Sequence, residues 1–140
     1  MGLARLAQQL PTTIRFAVVG TLGFVVDAGV LHLLVTYLGL NLLLARACSF
    51  LCAATSTWAI NRVFTFAVVP RLGRALLAEW AAYFAASLGG GCVNYLVFAA
   101  AIRLSPALHE FPTVAIALGT LAGMTFNFFM YSRYVFRRVS

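Results

Sequence analysis

A single carboxylate, Asp27, stands inside the apolar run GTLGFVVDAGVLHLL, with no basic residue near it in sequence. A charge at the centre of a bilayer costs at least about 2.5 kcal/mol on insertion scales, so such a residue is expected to face a bundle interior or a watery path. Two readings of Asp27 stay open: a protonated or hydrogen-bonded carboxyl that ties helices together, or a contact for a sugar hydroxyl or a cation. Further polar groups, Thr57 or Asn61, Asn94 and Asn127, lie within or at the end of other apolar runs. Arg62 and Arg133 lie in the aromatic tails WAINRVFTF and FFMYSRYVFR. A guanidinium there is a planar fork for a lipid phosphate; the plainer reading is an aromatic belt with arginines reaching the headgroups. Accepting hydrogen bonds from hydroxyls and holding a phosphate require no covalent step. GxxxxGKS/T, HExxH and GxSxG patterns do not occur, so neither a catalytic set, a metal site nor a cofactor is expected.

The elements that must position these groups are membrane spans. Of the 140 residues, 63% are hydrophobic and only 9% charged, too apolar to cover a compact soluble domain with a polar surface. A hydrocarbon core of about 30 Å needs about 20 apolar residues per helix. Four runs qualify, over residues 16–38, 42–60, 80–102 and 114–131. The first 14 residues lack a good signal peptidase site, and the run behind them is as long as a span, so the N-terminus is expected to be retained. All ten basic residues are arginine. Arg5, Arg15, Arg62, Arg71, Arg74, Arg133, Arg137 and Arg138 fall at the termini or the second connection, while Arg46 and Arg103 fall at the other two. That bias predicts that both termini are cytoplasmic. The net charge of +7 is then topology plus attraction to anionic membrane lipids, and no nucleic-acid partner is expected.

The spans repeat. Gly20, Gly23 and Asp27 in the first match Ser87, Gly90 and Asn94 in the third, with steps of three and four that put each trio on one helix face. Ser49, Ala53, Thr57 and Asn61 in the second match Gly119, Gly123, Asn127 and Tyr131 in the fourth, at steps of four. The chain therefore reads as one all-α membrane domain over residues 1–140. It is a duplicated helical hairpin, about 14–66 and about 80–136, joined by a loop over 67–79, with the two repeats parallel because each has an even number of spans. The small residues let backbones approach in lipid, as in the GxxxG of Gly119 and Gly123. The polar residues ending the stripes, Asp27, Thr57 or Asn61, Asn94 and Asn127, converge in projection on a bundle interior and suggest a polar site. Cys48, Cys52 and Cys92 read as small packing residues. His32 lies five residues from Asp27, a poor fit to its face. His109, Glu110 and Arg103 read as a solvated outer loop, and Glu79, beside Trp80, as the mark of the third span's start.

The strings IRFAVVGTLGFVVDAGVLHLLV (14–35), WAINRVFTF and NFFMYSRYVF (127–136), in this order, resemble the GtrA-like family of small four-span membrane proteins, over nearly the whole chain. Matched position by position, Arg15 and Phe16 take the place of the family's Arg-Phe pair and Val19 and Gly20 its Val-Gly pair. Asp27 takes its acidic residue, Asn61 and Arg62 its Asn-Arg pair, Asn94 its in-span Asn, and Asn127 with Arg133 its terminal motif. The chain departs where Gly23 and Thr57 stand in place of an Asn that many members carry, and where an aromatic between Tyr134 and Phe136 is missing. The resemblance implies a protein of the bacterial inner membrane, not an enzyme. It would move a polyprenyl-phosphate-linked monosaccharide across that membrane for cell-surface polysaccharide and cell-wall glycosylation. Arg15, Arg62 and Arg133 would hold the lipid phosphate, and Asp27, Thr57, Asn61, Asn94 and Asn127 would line a path for the sugar. The runner-up is a non-transporting subunit that positions a membrane glycosyltransferase. The third class is a small proton-coupled exporter of cations, against which the interfacial arginines speak by repulsion. Four helices enclose little volume, so a homodimer is an expected arrangement.

Overall fold

The computed structural model describes residues 9–110 and 112–136, without the side chains of 109, 110 and 112. The expectations for the N-terminal segment through residue 8, for Arg5, Arg137 and Arg138, and for the side chains of His109 and Glu110 lie outside the described residues. The described residues are helical, with five α-helices: α1 (Thr12–Thr36), α2 (Leu42–Ile60), α3 (Gly73–Leu104), α4 (Pro106–Glu110) and α5 (Pro112–Met130). Short π turns, Asn61–Thr65 and Tyr131–Val135, prolong α2 and α5. Four of these helices are long and apolar enough to cross a membrane.

Helix ends follow local chemistry. Pro11 precedes α1, where its missing N–H leaves no donor stranded. After α1, Gly39 takes a left-handed φ of 62° that a side chain would resist. Asn41 caps α2 by accepting from the Leu43 amide at 2.9 Å. The π turns arise because the Phe66 amide donates to the Asn61 carbonyl at 2.9 Å and the Phe136 amide to the Tyr131 carbonyl at 2.8 Å, one residue wider than an α bond.

The boundaries correct the expectation at the second connection. Helix α3 begins at Gly73, so the predicted loop over 67–79 is irregular only through residue 72, and Glu79 is helical. At 32 residues, α3 is about 48 Å long, well beyond the hydrocarbon thickness of about 30 Å; its ends therefore stand in the headgroup layers or the helix tilts. The connection between the third and fourth spans, expected as a solvated loop, is also not plain loop, since α4 carries the backbone of His109 and Glu110.

Two units divide the chain, one up to Trp80 and the other from Ala81. In the first, α1 packs antiparallel on α2 around Phe16, Val19, Ala45, Ser49, Ala53 and Ala54, all buried. Gly23 leaves room for a neighbour on α2: a β-carbon there would collide with the Thr57 methyl group. In the second, α5 packs on α3 through glycine. Cβ atoms added at Gly119 and Gly123 would lie 2.6 Å from the Asn94 carbonyl and 2.7 Å from the Gly90 carbonyl, so the GxxxG pair brings backbone against backbone. The cysteines are free thiols, but Cys52 and Cys92 are exposed on their units rather than packed inside them.

Candidate functional site

One end of unit 1, where α1 and α3 begin and α2 closes, gathers most of its charge. Glu79, in the second turn of α3, is 5% exposed. Its Oε1 accepts from Arg62 Nε at 2.6 Å and from Trp58 Nε1 at 3.1 Å, and its Oε2 accepts from Arg71 Nη1. The Arg62 guanidinium also lies 5.8 Å from the Trp58 ring centre, within cation–π range. Beside this cluster Arg15 donates to the Phe64 carbonyl at 2.7 Å, while its buried Nε has no protein partner. Sequence reasoning took Arg15 and Arg62 for this end and missed Glu79, Arg71 and Trp58 as one constellation. A signal was available: the chain has three acidic residues against ten arginines, and a carboxylate on an apolar helix needs a partner.

Asp27 also has a partner. Its Oδ2 accepts from Arg46 Nη1, while its Oδ1 is enclosed with no protein donor. Arg46 is therefore not a connection residue: it sits in the second turn of α2 and reaches across to α1. Asp27 is the more enclosed member, its side chain 16% exposed against 54% for Arg46. The carboxylate is thus tied to a helix and still keeps one oxygen unspent.

The other polar candidates divide. Asn61 is 1% exposed and its Oδ1 accepts from the Thr65 hydroxyl at 2.6 Å, so its polar group is held inside the first π turn. Thr57 turns its hydroxyl back to the Ala53 carbonyl at 2.9 Å and its methyl group to Gly23. In unit 2, Asn127 packs against Gly90 with a buried Oδ1 that no protein group satisfies, and Asn94 packs against Gly119. There too Tyr131 stacks on Tyr83 at 3.9 Å between ring centres and shares a 2.5 Å hydrogen bond with Ser87. Arg133 is exposed on the second π turn. Among the described residues no group of three or more His, Cys, Asp or Glu side chains could hold a metal ion.

The arrangement is one of binding groups: guanidinia at one end of unit 1, a half-satisfied carboxylate farther along it, and unpaired amide oxygen in unit 2. No curated protein matches this sequence. Residues 15–136 match the family described as GtrA/DPMS, transmembrane domain. The resemblance read from the three strings therefore holds over the same stretch, and this multi-pass membrane protein belongs to the GtrA/DPMS transmembrane-domain family.

Proposed function

We propose that the protein carries a polyprenyl-phosphate-linked monosaccharide across the bacterial inner membrane, for glycosylation of surface polysaccharide or cell wall, without catalysing a covalent step. The family supplies the setting of glycosylation-pathway membrane proteins. The observation that carries the reading is the excess of positive charge at one end of unit 1, where Arg62 and Arg71 share the single carboxylate of Glu79 and Arg15 is held on the Phe64 carbonyl with no carboxylate of its own among the described residues. Such an end suits a phosphate, and arginine gives it a fork rather than a point charge. Both termini and this end face the cytoplasm, as the arginine bias suggests. Arg133, exposed on unit 2, is a second phosphate contact. Asp27 Oδ1 and Asn127 Oδ1, each lacking a donor in its own unit, suit sugar hydroxyls, and Asn94 can add to them. Thr57 and Asn61, whose polar groups are already engaged within their own segment, are structural members of unit 1 in this reading, Thr57 packing its methyl group on Gly23.

The second reading, a non-transporting subunit that positions a membrane glycosyltransferase, has its own support: the spans keep broad apolar faces, with Phe24, Leu43, Tyr95 and Phe129 among the exposed large side chains. These faces suit lipid, a second copy or a partner protein. The test is a proteoliposome assay of polyprenyl-phosphate-sugar flipping with and without purified protein. Acceleration for at least one sugar is expected; no acceleration across several sugars would favour the subunit reading.

A further inference from the structure

Glu79 is engaged in a way that a helix anchor does not need. Its three partners come from three segments: Trp58 from α2, Arg62 from the π turn, and Arg71 from the irregular connection before α3. The two guanidinia remain partly open, with 15% and 24% of their side chains exposed, whereas the Glu79 side chain is 2% exposed. An anion arriving from outside therefore meets the arginines before it meets the carboxylate. Carboxylate and phosphate use the same guanidinium fork, and phosphate has more oxygens to offer it. Arg71 also lies on a stretch with no helical ladder to break, residues 67–72, flanked by left-handed backbone at Ala67 (φ 48°) and Gly73 (φ 58°). It can change partner without unwinding a helix.

We propose that Glu79 is the resident anion of a phosphate site made by Arg62 and Arg71, and that the phosphate of a polyprenyl headgroup binds by taking these two guanidinia from the carboxylate. The choice of ligand rests on the translocation reading above; the exchange of anions goes beyond it. Trp58 keeps its hydrogen bond to the carboxylate when the arginines leave. The site thereby rejects lipids without a phosphate, because only an anion compensates the arginines for the partner they lose.

The experiment compares the parent with Glu79→Gln in nanodiscs. Binding is measured for a polyprenyl monophosphate, for the uncharged polyprenol of equal length and for inorganic phosphate. Gln retains an acceptor for Trp58 but no longer competes for the guanidinia, so polyprenyl phosphate should bind the variant about tenfold more tightly, with polyprenol unchanged. Unchanged or weaker binding of a polyprenyl phosphate that the parent does bind overturns the exchange and leaves the phosphate reading standing. Failure of the parent itself to bind polyprenyl phosphate removes that reading instead. A gain confined to inorganic phosphate overturns the headgroup as ligand. Should Glu79→Gln not fold, the parent carrying Trp80→Phe decides the question through Trp58 fluorescence. Polyprenyl phosphate should shift its emission as Arg62 and Glu79 part, and no shift at saturation overturns the proposal.

Discussion

Arg62 and Arg133 occupy similar tails and do different work. Arg62 is the second residue of its π turn and Arg133 the third of its own. One residue of register turns a side chain by roughly a quarter of a turn or more, which sends Arg62 to Glu79 and Arg133 to the exterior. Arg133→Gln should therefore shift thermal stability in detergent by less than about 0.5 kcal/mol. Arg62→Gln takes a partner from a buried carboxylate and should cost about 1–3 kcal/mol; equal losses would show the tails to be equivalent. A similar asymmetry governs the pair of Asp27 and Arg46. Arg46, the more exposed partner, can reach toward water when left alone, and Asp27 cannot. Arg46→Gln should thus lower the melting temperature more than Asp27→Asn does, while Asp27→Asn abolishes flipping without loss of assembly. Full transport by Asp27→Asn over a range of pH would remove the charge from the mechanism. Sequence alone exposed Asp27, because a carboxylate in a span is conspicuous, but it hid Arg46. The two lie 19 residues apart on different helices, a separation no periodicity connects, and Arg46 stands close enough to the span boundary to read as loop.

At the scale of elements, the spans were legible because length and apolarity alone define them. The start of α3 was not, for a physical reason: Arg74 and Glu79 interrupt hydropathy, although RALLAEW is rich in strong helix formers. A helix about 48 Å long continues past the apolar layer, where hydropathy stops reporting it. The π turns left no mark that a pattern search could find, because one widened hydrogen bond requires no particular residue type. The glycine stripes were visible as spacing, and the structure adds which positions tolerate a side chain. Gly123→Ala would bring a β-carbon to 2.7 Å from the Gly90 carbonyl, whereas Gly91→Ala meets nothing within 4 Å. The first should cost about 1–3 kcal/mol as the two backbones are forced apart; the second should be neutral or slightly stabilising. Thermal unfolding of the purified variants measures both, and equal behaviour would mean that α3 and α5 do not touch through these glycines.

For the whole molecule the open quantity is orientation. Reporters fused at residue 1 and after Ser140 should both read cytoplasmic, and one placed between Leu104 and Pro106 should read external, given where the arginines fall. A C-terminus found outside would overturn the topology that the proposed translocation assumes. The outward-facing thiols bear on a different question. Cys52 lies on unit 1 and Cys92 on unit 2, both exposed, so the natural chain already carries one attachment point for a spin label on each half. Once Cys48 is replaced by Ser, paired labels make the separation of the halves a spectroscopic observable. Distances recorded in lipid with and without polyprenyl phosphate would then show whether the proposed ligand leaves the two units fixed or moves one against the other.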